Sequence, residues 1–130
     1  MNDMIKGVYD LHVHTSPDVV PRKCSDIELG RRLAAAGMAG CALKSHYFDT
    51  AARAGLLQEQ FPQLRVVGGV VLNRSVGRVN PEAVERCAQA GGKMVWFPTV
   101  ESRSFPAFQY REHPTPDLSH LLTVLDADGM

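Results

Sequence analysis

The run Val8-Tyr9-Asp10-Leu11-His12-Val13-His14-Thr15 sets two imidazoles one residue apart at the end of an apolar segment. Successive side chains of a strand point to opposite faces, so Asp10, His12 and His14 share one face of an extended segment while Leu11 and Val13 take the other. Two neutral imidazoles aimed the same way are half of a transition-metal site, and an open metal position makes a nucleophile of water at neutral pH. In a second group, Ala42-Leu43-Lys44-Ser45-His46, the same alternation puts Ala42, Lys44 and His46 on one face. Adjacent strands lie about 4.8 Å apart, so a third imidazole can approach the first two. Nitrogen donors from His12, His14 and His46 suit a divalent zinc, manganese or iron ion better than magnesium or calcium, with zinc the first expectation. Asp18 and Glu101 are candidate oxygen ligands or general bases for such a site. Asp10 fits either a carboxylate that orients a ligating histidine or a structural partner for Lys44. Lys44 stands out because lysine is rarely buried without a partner. It can orient an anionic substrate, polarise a carbonyl, bridge metals if carbamylated, or snorkel from the strand end.

These residues need a scaffold that gathers strand ends, and the apolar pattern supplies one. Gly7 to Val13 reads as a first strand. Ser25-Asp26-Ile27-Glu28 matches a capping box and opens a helix that puts Ile27, Gly30 and Ala34 on one side and stops at Gly37. Gly40 to Lys44 is a second buried strand, followed by a helix from Thr50 to Phe61 that Pro62 ends. Arg65 to Leu72 reads as one continuous strand, rich in β-branched residues as expected when both faces are covered. Asn80-Pro81-Glu82 starts a third helix, with Val84, Cys87 and Ala88 inside it, and Lys93 to Phe97 is a fourth strand before Pro98. Strands alternating with helices predict an α/β fold of four parallel strands joined by right-handed crossovers. Such folds hold their ligands at the C-terminal strand ends, where His12, His14, Lys44, His46, Asn73, Thr99 and Glu101 fall. Asn73 reads as a turn residue before Arg74-Ser75, and Trp96 as core.

Past Thr99 the periodicity is lost. Residues 100–117 or so form an irregular segment rich in Ser, Pro, Arg and aromatic residues, where Phe105, Phe108 and Tyr110 can act as a lid or as a contact with another chain. His113 and His120 read as solvent-facing. An apolar stretch from Leu118 leads to the turn signal Asp126-Ala127-Asp128-Gly129 near the end of the 130 residues, which looks like an interruption.

Composition narrows the class. Fourteen basic and fourteen acidic residues cancel, so no net field draws nucleic acid or an anionic membrane. No apolar run approaches the roughly 18 residues of a membrane span. Cys24, Cys41 and Cys87 are odd in number and widely spaced, which supports neither a disulfide framework nor a thiolate zinc site. A cytoplasmic protein acting on a small molecule is expected. Cys41 and Cys87 read as core side chains, and Cys24 has no base nearby in sequence.

The segment Asp10-Leu11-His12-Val13-His14-Thr15 with Ser16-Pro17-Asp18 resembles the opening of the amidohydrolase and polymerase-and-histidinol-phosphatase groups of metal-dependent hydrolases. With Leu43-Lys44-Ser45-His46 added, the chain is most similar to the N-terminal half of an uncharacterised amidohydrolase-like family of (β/α) barrels. The resemblance implies a divalent metal, zinc or manganese, at the barrel mouth on His12 and His14. His46 is placed like the strand-two histidine of the phosphatase-like group, where an aspartate commonly precedes it; here Ser45 does. Amidohydrolases carry their bridging lysine on the fourth strand, so a carbamylated role does not transfer to Lys44. Ligands from strands five to eight have no counterpart, and a barrel of this kind takes about 250 residues. The expectation is one partial barrel domain over residues 1–130, either truncated or assembled from copies. A half barrel leaves open edges and apolar faces, so a homo-oligomer is expected. Asp18 is the expected base or ligand and Lys44 the substrate-holding residue of a hydrolase acting on an amide, ester or related bond. The alternatives are a catalytically incomplete half barrel that binds a metal or ligand or serves in assembly, and a phosphoesterase of the phosphatase-like group.

Overall fold

A computed structural model describes residues 3–105; the later part of the irregular segment, with Phe108, Tyr110, His113, His120 and the apolar stretch from Leu118, lies outside the described residues. Strands and helices alternate as β1 (Tyr9–Val13), α1 (Asp26–Ala35), β2 (Gly40–Leu43), α2 (Ala51–Gln60), β3 (Arg65–Val67), β4 (Gly69–Val71), α3 (Pro81–Gln89) and β5 (Met94–Trp96). Every strand pair is parallel. The α/β class and the strand-helix alternation are therefore present.

The continuous strand expected from Arg65 to Leu72 is instead two short ones, and the strands form a sheet in the order β1-β2-β3 and a separate pair β4-β5. The cause is Thr50, wholly buried where α2 begins. Its hydroxyl donates to the Leu43 carbonyl at 2.7 Å and accepts from the Gly69 amide at 2.9 Å, while its own amide donates to the Gly69 carbonyl at 3.0 Å. The chain leaves β2 after Val67, passes Thr50, and pairs with β5 from Gly69 onward. Gly68 makes this possible, since a Cβ there would collide with the Thr50 carbonyl and the Ala51 Cα. Thr50 thus spends its hydroxyl on the sheet, and Asp49 caps the helix by accepting the Ala51 amide at 2.6 Å.

The first helix forms half of the expected capping box. Ser25 Oγ accepts the Glu28 amide at 3.1 Å, but the Glu28 carboxylate pairs with Arg32 one turn on. Gly37, at φ 69°, ends the helix in the left-handed conformation. Leu29 and Leu33 bury its inner face with Cys41, Leu43, Ala54, Leu57, Leu64 and Val66, and Ile27 and Ala34 pack at the margin. A second cluster of Ala51, Val70, Leu72 and Cys87 joins α3 to β4. Both clusters fasten helices to strands, which fixes where the strand ends lie.

Candidate metal centre

β1 delivers its histidines through an irregularity. Asp10 pairs with Cys41 and Val13 with Leu43, so three steps along β1 match two along β2. Bulges of this kind re-aim side chains beside functional sites. Here Nε2 of His12 and Nε2 of His14 come within 3.1 Å of each other. The His46 ring lies against His14 with centroids 4.7 Å apart and planes tilted by 32°. His14 thus lies between His12 and His46 as their shared neighbour. Among the described residues, His14 Nδ1 is buried without a hydrogen-bond partner. Burial first, then the charges of His46, Arg22, His12 and Lys44, push the His14 pKa down to about 4. Burial, then Lys44, Arg22 and His12, also lower that of His46. Both are neutral bases at pH 7, the form in which imidazole ligates metals.

The bulge also removes Asp10 from the alternation expected of it. Its carboxylate accepts the His12 amide at 3.0 Å and lies near enough to Cys41 to help raise that thiol's pKa. Among the described residues, no hydrogen bond joins Asp10 to an imidazole and no ion pair joins it to Lys44.

His46 is held by two residues whose importance the sequence did not signal strongly. Asn73 is buried rather than a surface turn residue. Its Nδ2 donates to the His46 carbonyl and to Thr99 Oγ1, each at 3.0 Å, and its Oδ1 accepts the Thr99 amide at 3.0 Å. Thr99 Oγ1 in turn lies 2.7 Å from His46 Nδ1. With two lone pairs, that hydroxyl can accept from Asn73 and from a protonated His46 Nδ1 together, which leaves Nε2 as the free base. The available signal was position: Asn73 and Thr99 lie two and three residues past the C-terminal ends of β4 and β5.

Asp18 lies beneath the cluster with its side chain fully shielded from solvent. It accepts the Val19 amide at 2.8 Å, Arg22 Nε at 2.6 Å and Ser45 Oγ at 3.0 Å. Burial alone would raise its pKa, but those hydrogen bonds and the Arg22 charge outweigh burial and hold it below the ordinary value. The carboxylate ties the loop after β1 to the residue preceding His46. A second tie joins the same loop to α2: Arg53 grips Asp26 through Nε at 3.0 Å and Nη2 at 2.8 Å, and also reaches the Thr15 carbonyl at 3.1 Å. Glu101 accepts the Arg74 amide, closing the loop after β4. Among the described residues no hydrogen bond joins Glu101 to an imidazole. Lys44 is only 5% exposed; its Nζ sits 4.9 Å from the centre of the Trp96 ring, and burial lowers its pKa. A cleft of about 400 Å³ opens at the other ends of the strands, between Gln58, Arg65 and Lys93, away from the histidines.

Residues 7–130 match the sequence profile of a family of unknown function, DUF6282. The chain belongs to that family. No curated protein and no solved structure matches it. Among the described residues of this DUF6282 chain, no helix is long and apolar enough to cross a membrane. Nor, among them, is any group of three or more His, Cys, Asp or Glu side chains arranged to hold a metal ion. The donor set this DUF6282 chain does present is a converging pair. Two nitrogens 3.1 Å apart can both reach one ion at the bond length of about 2.0–2.1 Å usual for zinc and imidazole.

Proposed function

We propose that the chain is a metal-dependent hydrolase of the amidohydrolase type, acting on an amide, ester or related bond of a small molecule. One observation carries this reading: His12 and His14 converging at 3.1 Å, with His46 against His14, at the C-terminal ends of parallel strands. His12 and His14 would hold a divalent ion, zinc first and manganese or iron as alternatives, with His46 the third candidate ligand. Such an ion supplies an acidified water and polarises the scissile bond. The protein's own groups do the rest. Asp18 keeps Arg22 and Ser45 in place and so positions the strand end that carries His46. Asn73 and Thr99 orient the His46 ring. Lys44 faces the substrate.

The resemblance of His12-Val13-His14 and of Lys44-Ser45-His46 to amidohydrolase-like proteins supports the same reading. So does the order of the strands within each sheet, β1-β2-β3 and β4-β5, parallel and in chain order as in the wall of a (β/α) barrel. As the first half of such a wall, the chain has β1 and β5 at its margins, where Leu11 is 55% and Phe97 64% exposed. Apolar margins of this kind favour a homo-oligomer. All three cysteines are free thiols, in keeping with a cytoplasmic setting.

The test is turnover by untagged protein loaded with zinc, manganese or iron, on panels of amides, esters and phosphoesters. Amide or ester hydrolysis abolished by His12→Ala and by His14→Ala is the expected result. Turnover of phosphoesters alone would replace this reading with a phosphatase-like one. The lack of a formed three-donor group among the described residues favours a second reading, a half barrel that binds a metal or ligand, or assembles, without turnover. Metal retention without hydrolysis on any panel would establish it.

A further inference from the structure

We propose that the cleft at the N-terminal ends of β3 and β5 binds a small amphipathic anion, a carboxylate or phosphate head on an apolar body, held by Arg65 and Lys93. The cleft is a gap that the fold leaves between its two sheets. Arg65 opens β3 and donates its amide to the Ala39 carbonyl beside β2, so the next amide, that of Val66, faces the other edge. No strand among the described residues covers that edge: β3 ends its sheet, and β5 pairs with β4. The amides of Lys93 and Met94 both donate to the Gly68 carbonyl, at 2.8 and 3.3 Å, so the β5 side first joins the chain one residue beyond β3. Below that junction the space measures about 400 Å³.

The residues around it say what fits. Gln58 has taken the free edge of β3, which leaves little for a further strand to pair with: its Oε1 accepts the Val66 amide at 2.9 Å and its Nε2 donates to the Leu64 carbonyl at 2.6 Å. The volume is that of a small-molecule site, and Pro62, Leu64, Val66 and Val67 give it the largely apolar lining that such sites have. The charged residues in the lining, Arg65 and Lys93, are both cations, and no carboxylate lies among them. Both are exposed, and among the described residues neither side chain makes a hydrogen bond or an ion pair. In a chain whose 14 basic and 14 acidic residues cancel, this is a local excess of positive charge. Guanidinium and ammonium groups make their strongest hydrogen bonds to carboxylate and phosphate oxygens, while the apolar lining takes the part of the ligand that water rejects. The histidines lie at the opposite strand ends, so this site does not depend on them or on a metal.

Full-length protein stripped with a chelator is titrated calorimetrically with phenyl phosphate, with benzoate and with benzyl alcohol, at low and constant ionic strength. One saturable site for phenyl phosphate or benzoate is expected, with the neutral alcohol bound about tenfold more weakly or worse. Arg65→Gln/Lys93→Gln should weaken the anion by about tenfold or more, and added salt should weaken it in wild type. His12→Ala/His14→Ala should bind as wild type does, so failure of the metal reading leaves this result standing. The phosphate and carboxylate arms identify the head group. Circular dichroism checks the fold of the cation variant, and Lys93→Gln alone replaces it if that signal is lost. Saturable binding of neither anion by wild type overturns the proposal. Equal affinity in wild type and the folded cation variant does so too, as does loss of binding in the histidine variant.

Discussion

Asp18→Asn isolates the buried ion pair beneath the histidines. The wild-type carboxylate is fully shielded, accepts three hydrogen bonds and faces a guanidinium that is itself only 18% exposed. The amide keeps the shape and one acceptor but leaves Arg22 without its counter-charge. Removing one member of a buried pair costs roughly 3–5 kcal/mol, and the residual solvent access of Arg22 points to the lower end, about 3 kcal/mol. With a urea dependence of about 1.5 kcal/mol per molar, the unfolding midpoint should fall by about 2 M at pH 7. The pH dependence has a definite sign. The folded pKa of Asp18 lies below its ordinary value of 3.8, so its contribution is complete above that value and is lost as pH falls through the lower folded one. Wild type and Asp18→Asn should therefore converge in stability as the pH drops below about 4. Urea unfolding followed by circular dichroism from pH 3 to 7 measures both effects. A difference under about 0.5 kcal/mol at pH 7 would show that the pair is not built as described and would return Asp18 to the role of a free base.

Asn73→Ala should cost about 1–3 kcal/mol, because it strands the His46 carbonyl and the Thr99 amide, and denaturant unfolding within error of wild type would contradict that. Cys41 and Cys87 are buried with thiol pKa values pushed up to about 12, chiefly by burial, so in native protein at neutral pH a disulfide reagent should modify Cys24 alone, and all three cysteines in urea. Rapid labelling of Cys41 would mean that the helices do not seal β2. Light scattering after size exclusion at micromolar concentration should give a mass above 14.2 kDa, since Leu11 and Phe97 face solvent in the single chain. A stable monomer would remove the basis for assembly.

The helices were legible because their signals are local. Ser25, Gly37, Asn80 and Pro81 sit within a residue or two of the ends they mark, and the structure starts and stops α1 and α3 there. The histidine cluster was legible because strand alternation and the strand-end rule are both short-range statements applied to His12, His14 and His46. What escaped depends on distant contacts. Thr50 looks like an ordinary N-cap, yet it divides the third strand because Leu43 and Gly69, 7 and 19 residues away, come to its hydroxyl. Asp10 obeyed alternation on paper and lost it to a bulge that only pairing with β2 reveals. Asn73 read as a turn residue and Arg53 drew no reading, since nothing near them in sequence says that their partners lie 26 to 38 positions off. Among these, the buried polar ties are the features that fix the strand-end loops around the histidines.

Metal binding by the His12 and His14 pair is the claim on which the functional account stands. Chelator-treated, untagged protein titrated calorimetrically with zinc, manganese and iron(II), with His12→Ala and His14→Ala in parallel, tests it most directly. Wild type should take up at least one of these ions stoichiometrically, and both variants should lose that uptake. Absence of binding in wild type, or binding that survives both substitutions, would contradict it.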